Sequence, residues 1–144
     1  MTGKAFHIGV TAVIAAAIVV GIFTAGGPIQ ARQEMFDQRR YADLREISTA
    51  LYCPNWRIIS PVLPETLDLS SIRAYCGGVE IEGHVLVDDE TGVPYTYTRT
   101  DGNGYSVCAL FYDAEKAMRR SYLGDHDPGA SFNPDTGCMT GRVR

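Results

Sequence analysis

One uncharged apolar run, from Ile8 to Ile29, most constrains what this chain can form, because it precedes an otherwise ordinary polar sequence. Its 22 residues include no Asp, Glu, Lys or Arg. About 20 apolar residues, rising 1.5 Å each, cross a hydrocarbon core of roughly 30 Å. The run therefore predicts a single-pass transmembrane helix, with a membrane anchor over residues 1–30.

A cleaved secretory signal is the alternative interpretation of the same run. Lys4 supplies a short positive region, and the small residues Thr24, Ala25 and Gly26 follow the apolar stretch. The apolar part of a signal peptide is about 7 to 15 residues long. Because this run is longer, we favour an uncleaved anchor.

The remaining residues, 31–144, are enough for one small globular domain with one core. Over the whole chain, 13 Lys and Arg residues stand against 17 Asp and Glu residues, for a formal net charge of −4. No basic face is available for nucleic acid, so we expect no nucleic-acid partner. A hydrophobic fraction of 45% is ordinary for a globular protein.

Two signals disagree about the side of the membrane on which this domain lies. Arg32, Arg39, Arg40 and Arg45 follow the apolar run and only Lys4 precedes it, which favours a cytoplasmic domain by the positive-inside rule. Four cysteines in a small domain instead favour an oxidising compartment. We follow the cysteines.

The cysteines are more typical of disulfides than of a metal or redox site. The chain has no Cys-x-x-Cys sequence and no His at zinc-finger spacing from a cysteine. Four cysteines allow three connectivities. Of these we expect one disulfide that closes the segment after the first helix of the domain and one that ties the tail to a strand, namely Cys53–Cys76 and Cys108–Cys138.

Residues 31–53 show helical spacing of apolar side chains, at Phe36, Leu44, Ile47 and Leu51, with Arg40 interrupting the stripe. This predicts an amphipathic spine helix with one packed face. The charged residues of the other face predict a solvated surface, on which Arg39 and Asp43 are four residues apart and are expected to pair. That face comprises Glu34, Asp37, Arg39, Asp43 and Glu46.

The pattern changes after this helix. Residues 54–78 predict a connector with a short helix between Pro64 and Cys76, and residues 79–112 alternate as three antiparallel strands do. A hairpin turn is expected at Asp101–Gly104. A short helix over Asp113–Tyr122 begins an otherwise irregular, disulfide-tied tail, 113–144. The predicted fold class is α+β: a transmembrane helix continuing into the spine helix, packed by a small three- to four-stranded antiparallel sheet.

This order of elements, with four sequence segments, resembles the pilin-like proteins of type II secretion and type IV pilus systems, in particular the major pseudopilins. The segments are Asp37–Leu51, Leu63–Pro64, the acid-x-Thr-Gly-x-Pro-Tyr turn ending at Tyr95, and the strand Tyr105–Phe111. The resemblance implies a single-pass protein of the bacterial inner membrane, with its globular domain in the periplasm. Met1 to Ala15 contains no acidic residue, so the prepilin cleavage motif is absent.

The pseudopilins, which this chain resembles, also have a calcium site in a loop near the C terminus. This chain offers two acidic groups there or in the preceding turn, namely Asp125, Asp127 and Asp135 with Asn133, or Asp88, Asp89 and Glu90. Neither group has the spacing of an EF-hand loop. Asp and Asn are common in turns because they hydrogen-bond the local backbone. We therefore expect no cofactor, with calcium as the alternative.

The sequence shows no sign of an enzyme. His7, His84 and His126 are isolated, and no nucleophile elbow, phosphate-binding loop or His-Glu-x-x-His sequence occurs. The expected function is that of a pilin-like structural or scaffold protein, which acts through protein–protein contacts in an inner-membrane assembly. The alternatives are a small accessory subunit of a respiratory or photosynthetic membrane complex, and an anchored periplasmic ligand binder or enzyme.

Ala17 and Gly21 form a small-xxx-small pair within the apolar run. Such pairs let two helices approach closely. They predict contacts with other membrane proteins through this helix, in either a homo- or a hetero-oligomer. A lipid-facing, alanine-rich helix explains the same residues equally well.

Overall fold

The computed structural model describes residues 2–24, 27–53, 58, 62–100, 103–121 and 129–143. The chain divides into two compact units, Met1–Gln33 and Glu34–Arg144. Helix α1 spans Thr2–Thr24, and helix α2 spans Gly27–Tyr52. Pro28 is the second residue of α2, where its missing N–H costs no helical hydrogen bond.

The prediction of a transmembrane helix is wrong. Crossing a hydrocarbon core takes about 20 apolar residues, and no helix of the described residues is both long enough and apolar enough to do so. The same finding contradicts the predicted location of this protein, which was a single-pass anchor in a bacterial inner membrane with a periplasmic domain.

Helix α2 supplies one side of the core of the unit Glu34–Arg144. Leu44, Ile47 and Leu51 are fully buried, at the 3- and 4-residue spacing that places side chains on one face of a helix. Tyr41 lies on the same side, where its ring meets the ring of Phe132 edge-on at 5.0 Å. The apolar stripe predicted for the spine helix is therefore confirmed.

The connector contains helix α3, Leu69–Tyr75, inside the range where a short helix was expected. Asp68 caps this helix, because its carboxylate accepts a hydrogen bond from the Ser71 amide at 2.9 Å. Ile72 of α3 is fully buried in the core.

A 3-10 helix, Gly83–Leu86, replaces the first of the three predicted strands. The alternating residues around Gly83 had suggested a strand from Val79 to Val87. Neighbouring residues of a strand point to opposite faces of a sheet. Val85 and Leu86 are instead both buried, which a tight helical turn allows.

Four antiparallel strands form one sheet in the order β1-β2-β4-β3. They are β1 Thr96–Thr100, β2 Gly104–Cys108, β3 Ala130–Asn133 and β4 Cys138–Arg142. Thr100 pairs with Gly104, which confirms the predicted hairpin; Asp101 and Gly102 of its expected turn lie outside the described residues. The expectation of an irregular tail is wrong, because β3 and β4 form a second hairpin, in whose turn Gly137 has a φ of 65°.

The two faces of the sheet differ in chemistry. Tyr105, Val107 and Met139 are buried toward α2, and the Tyr105 hydroxyl donates to the carbonyl of Ser48 at 3.3 Å. On the outer face, one row across all four strands consists of hydroxyl residues, in register as Thr98, Ser106, Thr140 and Ser131.

Helix α4, Ala114–Ser121, follows β2 and lies within the predicted range for a short helix. Ala117 is its buried residue. Glu34 on α2 makes ion pairs with both Lys116 and Arg120 of α4. The hydrogen bond from Lys116 is the largest contribution that lowers the pKa of Glu34 below its usual value.

Candidate functional site

A buried arginine organises the side of the domain that carries the acidic turn. Arg40 lies on α2 and is only 4% exposed. Its guanidinium binds Asp37 at 3.0 Å, Glu90 at 2.6 Å and both carboxylate oxygens of Asp88. We call these four residues the Arg40 cluster. It joins the spine helix to the turn whose sequence carries the pilin-like resemblance.

Asp37 connects the same cluster to the chain that follows β2. Its carboxylate, 2% exposed, accepts hydrogen bonds from the backbone amides of Tyr112 at 3.0 Å and Asp113 at 2.7 Å. The guanidinium carbon of Arg40 lies 5.4 Å from the centre of the Tyr112 ring, within range of a cation–π contact. Three separate segments are thereby held together by one charge network.

Asp88 shapes the acidic turn itself. Its Oδ1 accepts the amides of Glu90 at 2.8 Å and Thr91 at 3.0 Å. Burial opposes ionisation of Asp88, but the hydrogen bonds from Arg40 and from these amides outweigh it, so its pKa lies below the usual value. The Arg40 pKa is raised in turn, because its carboxylate partners outweigh its own desolvation.

Two charge predictions for α2 are wrong. Asp37 was placed on the solvated face but is buried beside Arg40. Arg39 does not pair with Asp43; it donates to Asp89 at 2.9 Å, across 50 residues of sequence. The sequence signal that could have revealed the cluster is Arg40 within the apolar stripe, because a buried guanidinium needs carboxylate partners.

Asp43 lies half-buried against the end of the acidic turn, where the Tyr95 hydroxyl donates to its Oδ2 at 2.7 Å. Burial raises the pKa of Asp43 to about 6, although the hydrogen bond from Tyr95 acts in the opposite direction. Burial, together with this hydrogen bond to a carboxylate, also raises the pKa of Tyr95 well above its usual value.

We expect Asp43→Asn to raise the melting temperature at pH 8 and to change it little at pH 4. An unfolded aspartate has a pKa near 3.9. Between about pH 4 and pH 6 the folded protein therefore keeps a proton that the unfolded chain has released, so wild-type stability falls as the pH rises through that window. Asparagine can still accept from Tyr95 and carries no charge.

Melting curves at half-unit pH steps measure this effect. Glu65→Gln, which removes an exposed carboxylate and leaves Asp43 in place, is the control and should keep the wild-type fall in stability across this window. A gap between Asp43→Asn and the wild type that is equal at pH 4 and pH 8 would contradict the assignment.

The structure places the four cysteines in two disulfides, Cys53–Cys76 and Cys108–Cys138, the pairing that the sequence analysis favoured. The first joins the end of α2 to the residue that follows α3. The second joins directly opposed residues of β2 and β4.

Of the acidic residues considered for calcium, Asp88, Asp89 and Glu90 are engaged by arginines. Asp88 and Glu90 bind Arg40, and Asp89 binds Arg39. Asp135 is exposed in the β3–β4 turn, where its amide donates to Asn133. Asp125 and Asp127 lie outside the described residues, as does His126. In the part of the chain that the structure describes, no group of three or more His, Cys, Asp or Glu side chains is arranged to hold a metal ion.

Ala17 and Gly21, the predicted helix-packing pair, lie on the exposed surface of α1. A Cβ atom added to Gly21 would meet no other atom within 4 Å. The space beside this glycine is therefore open in the isolated chain.

A cavity of about 170 Å³ opens next to the Arg40 cluster. Arg40 and Asp88 form part of its wall, and Val93, Ala109 and Leu110 form an apolar part.

Comparison of the whole chain with protein-family models, with curated proteins and with solved structures finds no match.

Proposed function

We propose that this chain is a non-enzymatic assembly protein of the pilin-like type, in which helix α1 packs against helices of other subunits. The observation that carries the proposal is the exposed apolar surface of α1. In the described part of this helix, seven β-branched apolar side chains are 43% to 70% exposed; they are Ile8, Val10, Val13, Ile14, Ile18, Val19 and Val20.

These side chains surround the helix. At 100° per residue they are distributed around the axis from Ile8 to Val20, a segment in which Thr11 is the one polar side chain. A helix that is apolar all round is normally buried in its working state. An exposed apolar surface of this extent marks an interaction surface. Burying it calls for more than one neighbouring helix, as in an assembly of several subunits.

The small residues of α1 give such neighbours a place to approach. Ala17 and Gly21 are one turn apart on the same side of the helix. The distance between packed helices depends on the side chains at the contact, and small residues allow the shortest distance. A Cβ atom at position 21 would meet no other atom within 4 Å, so this side of α1 has room for a neighbouring helix.

The unit Glu34–Arg144 supports a structural role and not a catalytic one. Two disulfides and the Arg40 cluster fasten its segments to one another. The charged groups in the wall of its cavity, Arg40 and Asp88, are bound to each other. The sequence resemblance to pseudopilins supports the pilin-like type, and the disulfides favour folding in an oxidising compartment.

The test is to purify the tagged full-length protein from its own cell in mild detergent and to identify stoichiometric companions by mass spectrometry. We expect the double variant Ala17→Leu with Gly21→Leu to recover about tenfold less of them, which corresponds to about 1.4 kcal/mol. The melting temperature should be unchanged, because leucine at position 21 meets no atom of the chain at its Cβ.

The matched control is Ala17→Ser with Gly21→Ala, which keeps small side chains on the same face of the helix and should keep the companions. Unchanged recovery with the double leucine variant would refute the packing role of this face. A protein that sediments with protein-free lipid vesicles and has no companion would overturn the assembly proposal. Companions from an oxidase or reductase would replace the pilin-like type with an accessory subunit.

A further inference from the structure

Leu110 is the most exposed large apolar side chain among the described residues of the globular unit, at 90%. It lines the 170 Å³ cavity together with Val93, which is 60% exposed. Single exposed apolar residues are ordinary on a protein surface. Two that line the same cavity, together with Pro94 and Ala109, form an apolar opening.

Hydrogen bonds donated by backbone amides hold both walls of this opening. On the Leu110 side, the Ala109 amide donates to the carbonyl of Gly137 at 3.1 Å, and the Tyr112 amide donates to Asp37. On the other side, the Asp88 amide donates to the carbonyl of Val93 at 3.0 Å. A site fixed before binding loses less entropy when it is occupied.

The volume suits one side chain. A dry protein cavity of about 150 Å³ is large enough to bind benzene, and this opening has about 170 Å³. One large aliphatic or aromatic side chain therefore fits it, whereas a cofactor does not.

The charges next to the opening indicate whether a second copy of this chain or a different protein occupies it. Asp37 and Asp88 are buried with Arg40, so the charged side chains of this group that reach the surface are Asp89 and Glu90 against Arg39, an excess of negative charge. The exposed Asp135 directly precedes Thr136, which lies in the wall. A second copy would bring the same acidic groups together, which like charges oppose. Positive charge on the partner complements them.

We propose that this opening, the Leu110 cavity, is a docking site for a segment of a partner protein in which one large apolar side chain is flanked by lysine or arginine residues. The apolar side chain enters between Leu110 and Val93, and the flanking cations lie near Asp89 and Glu90. This contact is separate from the packing of α1 and adds a second, more specific point of attachment.

The test is a titration of the full-length, isotope-labelled protein with a synthetic probe, an acetylated peptide of one phenylalanine between two lysines on each side. We expect the amide signals of Thr91, Val93 and Leu110 to shift and saturate, and raising the NaCl concentration from 0.05 to 0.5 M to weaken binding severalfold. Leu110→Ser should weaken it at least fivefold. Met35→Ser, a 44% exposed residue that does not line the cavity, should bind as the wild type does.

Equal binding of a peptide with glutamates in place of the lysines would overturn the proposal. So would equal binding of a peptide with alanine in place of the phenylalanine, or an unchanged affinity in Leu110→Ser. Shifts of the same amides with protein concentration alone would identify a second copy as the occupant instead. The Ala17→Leu, Gly21→Leu variant should bind the peptide normally, so failure of docking and failure of assembly are distinguishable.

Discussion

Reducing both disulfides is expected to lower the melting temperature of this protein by more than about 15 °C. The bonds close loops of 23 and 30 residues. Restricting the unfolded chain by loops of this length contributes about 3 kcal/mol each. Small domains have total stabilities of about 5 to 15 kcal/mol, and 1 kcal/mol shifts the melting temperature by about 4 to 8 °C. Loss of both bonds therefore removes a large share of the stability.

Melting curves with and without dithiothreitol measure this effect on the full-length protein. The variants Cys53→Ala with Cys76→Ala, and Cys108→Ala with Cys138→Ala, separate the two contributions. A variant that lacks all four cysteines is the control and should not respond to the reductant. Four thiols that alkylate freely in the native, unreduced protein would contradict the pairing.

Arg40→Met is expected to cost about 3 to 5 kcal/mol of unfolding free energy, because it leaves buried carboxylates without their cation. Asp37 and Asp88 are both almost inaccessible to water. The neighbouring substitution Arg39→Met provides the matched control. Arg39 pairs with Asp89 at the surface, where such pairs contribute less than about 1 kcal/mol.

Urea unfolding of the full-length protein, followed by the fluorescence of its single tryptophan, measures both variants. Adding Asp88→Asn to Arg40→Met should recover part of the loss, because one uncompensated charge is removed. This non-additivity is the signature of direct coupling between the two residues. A cost for Arg40→Met no greater than that for Arg39→Met would show that the Arg40 cluster contributes little to stability.

The parts of the fold that local sequence patterns determine were predictable. The spacing of Leu44, Ile47 and Leu51 identified the packed face of α2, and the Asp101–Gly104 turn identified the β1–β2 hairpin. The β3–β4 hairpin escaped notice, because its inward positions supply few large apolar side chains to mark the alternation. The 3-10 helix was predicted as a strand, because the apolar residues in and around it alternate as those of a strand do.

The Arg40 cluster was beyond local reasoning. Arg40 lies 48 and 50 residues from its partners Asp88 and Glu90, and no periodic pattern connects positions so far apart. The arginine in the apolar stripe showed that carboxylates were needed, but the chain offers many acidic residues. Only the fold chooses among them. The partner of Asp43 was missed in the same way, because Tyr95 lies 52 residues away.

Strand β4 is the last strand along the chain, but in the sheet it lies between β2 and β3, which both precede it. During synthesis the β1–β2 hairpin leaves the ribosome first, and β3 follows without a neighbour to pair with. Until β4 emerges, Cys108 also has no opposite residue with which to form its bond. One edge of β2 therefore stays without its neighbouring strand until the last strand of the chain is available.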